Sequence, residues 1–143
     1  MTSKKSNYLK YWKLIKRYVK LRYNLTEPKL DMLLFLYSES YFTLKKIKEF
    51  NKIGFSGINM FNELREDGWI EEAKKGYNGR IVFNLSNKAI RTISKVYNIL
   101  DGVVLMRTRP ESNPMLNDAN KNRYEAMIAE MNEFIQQQQR HAP

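Results

Sequence analysis

The hydrophobic positions of this chain recur mostly at intervals of three and four, the period of an α-helix. In the first such stretch, Ser6 is suited to cap a helix that ends near Tyr23. The apolar side of this helix is formed by Tyr8, Trp12, Ile15, Val19 and Tyr23, with Tyr11 and Tyr18 beside them. The other side carries Lys10, Lys13, Lys16, Arg17 and Lys20. The pattern predicts an amphipathic helix with a lysine face.

A second and a third helix are predicted between residues 26 and 52. Thr26 followed by Pro28 has the sequence of a helix start, with a capping hydroxyl and an early proline. The broad apolar face that follows predicts a central core helix, and it consists of Leu30, Leu33, Leu34 and Tyr37. Thr43 caps the third helix, which is expected to turn Leu44, Ile47 and Phe50 inward and Lys45, Lys46, Lys48 and Lys52 outward.

The fourth helix is predicted from Ser56 to Asp67, with Phe61 and Leu64 facing inward. Gly68 follows it at the place where a left-handed residue ends many helices. The next residues, WIEEAKKGYNGRIVFNL, read as two strands, Trp69–Lys74 and Arg80–Leu85, joined by a basic, glycine-containing tip. Asn78-Gly79 is a strong signal for a tight hairpin turn. Tyr41-Phe42 is predicted to add a short strand.

A fifth helix is capped by Ser86, and its predicted apolar set is Ile90, Ile93, Val96, Tyr97 and Leu100. The residues VVLMR after Gly102 read as a strand or an extended segment, and TRPESNP reads as a linker. The last helix is expected from about Met115 to Arg140. Its narrow apolar seam is typical of a packing surface and consists of Tyr124, Met127, Ile128, Met131, Phe134 and Ile135.

This order of elements predicts a mainly α fold with a small β-hairpin wing, a winged helix-turn-helix. We expect an N-terminal basic amphipathic helix in residues 1–25, the winged-helix domain in 26–100, and an extended linker with an interaction helix in 101–143.

The charge of the chain favours a polyanionic partner. The formal net charge is +10 over 143 residues, and most of it comes from residues 1–30 and 71–100. Nucleic acid, an anionic membrane surface or an acidic protein are the classes of partner that such a balance indicates. Trp12 and the neighbouring tyrosines are better explained as core or interface, and no apolar run reaches about 18 residues, so we expect no membrane partner.

Catalysis finds little support in the residues. The chain has no cysteine, which excludes disulfides and thiolate metal sites, and its one histidine is His141, close to the end of the sequence. Neither a glycine-rich phosphate loop nor a metal-ligand spacing is present in the sequence. We therefore expect a binding protein, with no catalytic residues, no metal and no cofactor.

The segments LTEPKLDMLLFL, FSGINMFNELREDGWIEE and GRIVFNLSNKAIRTI together resemble the MarR-type winged-helix family. The resemblance covers roughly residues 8–100, with the last helix placed where the family has a dimerisation helix. It implies a homodimer with entwined first and last helices, whose fourth helix enters the major groove of DNA and whose wing lies at the minor groove. The dimerisation residues would be Trp12, Ile15, Val19, Tyr124, Ile128, Met131 and Ile135.

The resemblance places Ser56, Ile58, Asn59 and Asn62 where the family contacts bases or phosphates, and Arg80 on the wing arginine. Together with the basic wing and the third helix, the predicted DNA-binding residues are Lys52, Ser56, Ile58, Asn59, Asn62, Lys74, Lys75, Tyr77, Asn78 and Arg80. The chain departs from the family pattern at Asn59, where an arginine is common, and at Asn78-Gly79, where the family has a wing-tip aspartate.

Two functions follow as hypotheses. The leading one is a cytoplasmic, nucleoid-associated transcriptional regulator that binds duplex DNA as a homodimer through the fourth helix and the wing. The alternative is a structural or assembly protein, such as a phage virion component, that uses a winged-helix frame to bind other protein chains. The net negative charge of the predicted fourth helix, with Glu63, Glu66 and Asp67 against Arg65, motivates the alternative.

Overall fold

A computed structural model describes the backbone of residues 10–52, 58–75, 80–117 and 119–140, and the side chains of these residues except 50, 51 and 75. Its elements are, in chain order, α1 (Trp12–Tyr23), α2 (Glu27–Leu36), α3 (Leu44–Lys52), α4 (Ile58–Glu66), β1 (Ile70–Lys75), β2 (Ile81–Leu85), α5 (Asn87–Leu100), a short 3-10 helix (Pro114–Asn117) and α6 (Lys121–Arg140).

Contacts divide the chain into two compact units. The central unit is Thr26–Ile93, and the terminal unit combines Met1–Leu25 with Ser94–Pro143. Helix α5 begins in the central unit and ends in the terminal unit.

The central unit is built around α2. Thr26 Oγ1 accepts a hydrogen bond from Lys29 N at 3.4 Å, and Pro28 lies in the first turn, so the predicted helix start is confirmed. Leu30, Leu33 and Leu36 have no exposed surface, and neither does Met32. Burial on nearly every side fits a helix that forms the centre of a core, as its broad apolar face predicted.

The predicted hairpin is confirmed. Strands β1 and β2 pair antiparallel from Ile70↔Leu85 to Lys75↔Ile81, starting one residue later than predicted. The register shifts between Glu72 and Lys74, so Ala73 is an extra residue in β1, a β-bulge. The turn Asn78-Gly79 lies outside the described residues. At Tyr41-Phe42 the predicted strand is reduced to a single bridge, in which Phe42 exchanges backbone hydrogen bonds of 2.9 and 2.8 Å with Phe83.

Helix α4 ends as the sequence predicted. Gly68 is left-handed, with φ of 82°. Its N–H bonds to the carbonyl of Arg65 at 3.1 Å, and Trp69 N bonds to that of Leu64 at 2.9 Å, the pair of bonds of a Schellman motif. Ser86 joins this end to the next helix, because its hydroxyl donates to Gly68 O at 2.7 Å and accepts from Ala89 N at 3.3 Å. The predicted Ser86 cap is therefore confirmed, and it also fixes the exit of α4. The Ser56 cap of α4 lies outside the described residues.

The apolar set predicted for α5 is partly wrong. Ile93 and Val96 are buried, but Ile90 and Tyr97 are 43% and 41% exposed. Ala89 and Ile99 occupy the core instead. The helix turns a slightly different face inward from the one that its largest apolar residues indicate.

In the terminal unit, α1 begins at Trp12, and Lys10 and Tyr11 form a turn before it. The predicted cap, Ser6, is outside the described residues. The buried stripe includes Leu14, which was not predicted, while Trp12 is only half-buried. Tyr18 is fully buried, and Arg22 approaches its hydroxyl without a hydrogen bond of good geometry. Burial raises the pKa of the Tyr18 phenol, and the positive charges of Arg22 and Arg107 counteract part of that rise.

The chain between α5 and the 3-10 helix is irregular, so the alternative of a strand at VVLMR is wrong. Asn132 on α6 holds this segment: Met106 N donates to its Oδ1 at 3.0 Å, and its Nδ2 donates to Met106 O at 3.1 Å. Met115 lies in the 3-10 helix, fully buried, and the last α-helix starts only at Lys121. The predicted start at Met115 was wrong because Met115 and Leu116 are buried as part of the separate 3-10 helix that precedes α6.

Candidate nucleic-acid interface

The exposed surface of α4 carries three of the predicted contact residues. Met60, Phe61 and Leu64 are buried and fix the helix to the core of the central unit. Ile58, Asn59 and Asn62 lie on the other side and are exposed, Ile58 to the extent of 44%. The helix therefore presents one aliphatic and two amide side chains from its N-terminal half.

An open groove of about 580 Å³ runs between the start of α3, α4 and β2. Ile58, Asn62 and Arg80 all line it, so the structure brings a wing residue and two α4 residues to one surface. Leu44, 41% exposed, and Lys45 line it from α3. Phe61 and Phe83 complete an apolar floor, their rings in edge-to-face contact with centroids 5.1 Å apart.

Of the other predicted contact residues, Lys52 and Lys74 do not line the groove, and several lie outside the described residues. Lys74 is exposed on β1, and its Nζ lies 5.1 Å from the ring centroid of Tyr41. Lys52 is exposed at the end of α3 and is not among the residues that line the groove. The backbone of Lys75 ends β1, but its side chain is not described, and Ser56, Tyr77 and Asn78 lie outside the described residues.

Two acidic residues near the end of α4, Glu63 and Asp67, are paired with a lysine of α2. Lys29 Nζ lies 3.3 Å from a carboxylate oxygen of Glu63 and 3.7 Å from one of Asp67. The Lys29 side chain is only 18% exposed, while the two carboxylates remain more than half exposed. Part of the negative charge that the sequence assigned to this helix is thus neutralised within the fold.

Arg65 also lies on this surface, and the sequence did not indicate which residues it contacts. Its Nη2 donates to Glu72 Oε1 at 2.9 Å, and its guanidinium lies 5.0 Å from the ring centroid of Phe83. An ion pair and an aromatic face together hold the guanidinium in one place. The two charged residues are seven apart, across the junction of α4 and β1, and no helical or strand periodicity relates them.

The lysines of α3 also differ from one another. Lys46 lies between Glu49, at 3.3 Å, and Glu39, at 3.5 Å. The hydrogen bond to Glu49, with the attraction of both carboxylates, raises the pKa of Lys46. Lys45 borders the groove instead. The lysines that the sequence places together on α3 thus differ, because Lys46 is paired with two carboxylates and Lys45 lines the groove.

The predicted dimerisation residues lie in the terminal unit. Ile15, Val19, Ile128, Met131 and Ile135 are all less than 5% exposed within one chain, and Trp12 and Tyr124 are half-buried. Met127, 44% exposed, and Val103, 63% exposed, are the larger apolar surfaces of this unit. The dimerisation role of the seven residues stays a prediction.

Among the described residues, no three His, Asp or Glu side chains are grouped as ligands of a metal ion would be. In the same part of the chain, no helix is both long and apolar enough to cross a membrane.

The central unit is a winged helix-turn-helix: α2, α3 and α4 form the helical part, Phe42 adds a one-residue strand, and the β1–β2 hairpin is the wing. No protein-family model matches the sequence, and no curated protein matches it. Among solved structures, one of AbfR with its disulfide formed is similar to this chain. The two chains are 14% identical, with a TM-score of 0.49, and the similarity covers 87% of this chain and 86% of that chain. The assignment of the fold rests on the elements and pairing of this chain.

Proposed function

We propose that this protein is a DNA-binding transcriptional regulator of MarR-like type that binds duplex DNA through α4 and the wing. The observation that carries the proposal is the shared groove, in which Ile58 and Asn62 of α4 lie with Arg80 of the wing. A helix with exposed amides beside a basic hairpin offers both base-edge and backbone contacts on one surface.

In this mechanism α4 enters the major groove with its N-terminal half. The amides of Asn59 and Asn62 pair with adenine, since an amide offers one donor and one acceptor to N7 and N6. Ser56, two residues before Ile58 in the sequence, would contribute a further contact. The ion pairs of Lys29 keep the carboxylates of Glu63 and Asp67 from acting as uncompensated charges near phosphate.

The cations supply affinity through contacts with the phosphate backbone and the minor groove. Arg80 enters the minor groove, and the DNA backbone is contacted by Lys52, Lys74, Lys75, Tyr77 and Asn78. Each phosphate neutralised by a lysine or arginine releases counterions, so binding weakens as salt rises. The net charge of +10 provides the long-range attraction.

We further propose that the regulator acts as a homodimer, built on the helices of the terminal unit, and that it carries out no catalysis. Two copies of α4 would then contact half-sites about 34 Å apart, one turn of DNA. The bound sequence should accordingly be a palindrome.

Selection of duplexes from a random pool at moderate salt tests the proposal. Enrichment of a palindrome, with a mass of two chains for the bound protein, is the expected result. Absence of duplex binding even at low salt would overturn it and favour the assembly role.

Two variant pairs separate the kinds of contact. Arg80→Gln should weaken binding to all duplexes and flatten the log–log salt dependence by about 0.9, whereas Arg91→Gln, an exposed arginine on α5, should not. Asn62→Ala should lower affinity for the selected sequence alone, by roughly tenfold or more. The matched control is Asn87→Ala, another exposed asparagine.

A further inference from the structure

We infer that this interface selects A·T base pairs, and that Ile58 contributes by contacting the C5 methyl group of thymine. The inference rests on the proposed function, because it names the kind of duplex that the same surface recognises. Four observations on the central unit support it.

Ile58 is an exposed aliphatic side chain on a helix whose core contacts are already complete. Met60, Phe61 and Leu64 bury the inner face, yet Ile58 remains 44% exposed and Leu44, across the groove, 41% exposed. Exposed aliphatic carbon gains free energy when another apolar group covers it. In the major groove of DNA the one apolar group on a base edge is the thymine methyl.

The amides on the same helix match the other half of that base pair. Asn62 follows Ile58 by one helical turn, on the same face, and both line the groove. Adenine presents an acceptor and a donor side by side, which an asparagine amide satisfies with two bonds. Guanine presents two acceptors, so the carbonyl oxygen of the same amide would face an acceptor and lose a bond.

The residue of α4 that would read guanine also lines the groove, but it is already bound within the protein. Arg65 is the one arginine of α4, and α4 contains no lysine. Its guanidinium donates to Glu72 at 2.9 Å and lies against Phe83. Bidentate binding to guanine O6 and N7 would require this ion pair to open.

The wing supports the same preference. Arg80 is exposed immediately before β2 and lines the groove with Ile58. Arginines are attracted to narrow minor grooves, and A·T tracts have the narrowest. The helix and the wing would therefore select the same composition by two independent routes.

Replacement of thymine by uracil provides the test, because it deletes the methyl group and leaves the pairing unchanged. The probes are a duplex of about 24 base pairs with a central A·T-rich segment, long enough for two half-sites one turn apart, its uracil counterpart, and a G·C-rich duplex of equal length. Affinities are measured by fluorescence anisotropy at one moderate salt concentration. We expect the wild type to bind the thymine duplex about fourfold more tightly than the uracil duplex for each methyl group contacted.

Ile58→Ala should abolish the difference between the thymine and uracil duplexes while still binding both. Ile90→Ala is the matched control, because Ile90 is equally exposed, at 43%, in the same unit but on α5. This control should keep the wild-type ratio. A wild type that binds thymine and uracil duplexes equally, or an Ile58→Ala variant that keeps the ratio, overturns the inference. A wild type that binds none of the three duplexes overturns the proposed function as well.

Discussion

Arg65 and Glu72 form a hydrogen-bonded ion pair, with 2.9 Å between Nη2 and Oε1. It joins the last turn of α4 to the first strand of the wing, and both side chains remain partly exposed, at 37% and 50%. An exposed pair of this kind adds at most about 1 kcal/mol to stability. Its larger effect is on recognition, because it holds the one arginine of α4 in a contact within the protein.

Glu72→Gln should therefore change base preference more than stability. Loss of the carboxylate releases the guanidinium of Arg65, which becomes available to guanine, so the ratio of A·T to G·C affinity should fall. The free energy of unfolding should change by less than about 1 kcal/mol. Duplex affinities and urea unfolding measure the two effects.

Glu71→Gln is the control for Glu72→Gln, because Glu71 is an exposed carboxylate on the same strand. Both variants remove one negative charge and should raise affinity for any duplex. If the two variants alter the A·T to G·C ratio equally, the release of Arg65 is not the cause.

Gly68→Ala should destabilise the protein by roughly 1–2 kcal/mol, the cost of a left-handed conformation with a Cβ. The φ of 82° imposes this cost, while the space around an added Cβ is open, with no atom within 4 Å. Gly68→Asn should lose less, because asparagine tolerates this conformation better. Equal losses for alanine and asparagine in urea unfolding would point to a steric cause instead.

Ser86→Ala should cost about 1–3 kcal/mol. It removes the cap of α5, worth about 1 kcal/mol, and it leaves the carbonyl of Gly68 without the donor that lies 2.7 Å away. Asn87→Ala, one residue further along and exposed, should change stability little. Thermal unfolding of the two variants side by side gives the difference, and similar melting temperatures would contradict the dual role of Ser86.

Asn132→Leu should destabilise the terminal unit by roughly 2–4 kcal/mol, since the backbone N–H and C=O of Met106 would both lose their partner in a buried place. The substitution keeps a similar side-chain volume, so packing changes little. Asn122→Leu, at an exposed position of α6, serves as its control. Chemical unfolding should separate them, and equal stability would show that the segment around Met106 is held by other contacts.

Tyr18→Phe should alter the pH dependence of stability. Because burial raises the pKa of the folded phenol above the unfolded value near 10, folding favours the neutral form. This contribution is fully present below about pH 10 and is lost as the pH rises from there toward the folded pKa. The wild type should thus lose more stability than Tyr18→Phe between about pH 9.5 and 11.

At pH 7 the Tyr18→Phe variant should be as stable as the wild type or slightly more so, because it removes a buried hydroxyl that lacks a well-formed hydrogen bond. Free energies of unfolding at pH 7, 9, 10 and 11 measure both effects. Parallel curves for the two proteins would show that Tyr18 does not ionise differently in the folded state.

The sequence predicted the parts of the fold that local chemistry determines. Thr26 and Pro28 mark a helix start, and Gly68 marks a helix end, because capping and left-handed geometry depend on a few neighbouring residues. The faces of helices were harder to predict. Ile90 was expected inside and is exposed, because the packing of other elements decides which apolar residues of a helix are covered.

The candidate site, like the fold, could be predicted from the sequence only in part. Helical spacing turned Phe61 and Leu64 inward, and the resemblance to the MarR-type family singled out Ile58, Asn59 and Asn62, which are exposed on α4. The compensation of Glu63 by Lys29 could not be predicted, since the two residues belong to different helices and meet only in the fold. The sequence therefore made the helix look more acidic, and less suited to DNA, than the structure does.

The extra residue at Ala73 decides which side of the wing carries its positive charge. Side chains alternate between the two sides of a strand, so if Ala73 were paired as in a regular ladder, Lys74 would lie on the same side as Glu72. With the bulge, Glu72 is opposite Phe83 and Lys74 is opposite Val82, which places the acid and the base on different sides of the hairpin. Regular pairing of Ala73 would turn the lysine toward the side where Glu72 binds Arg65. The bulge thus keeps the anionic and cationic residues of the wing apart, although the residue that forms it carries no charge of its own.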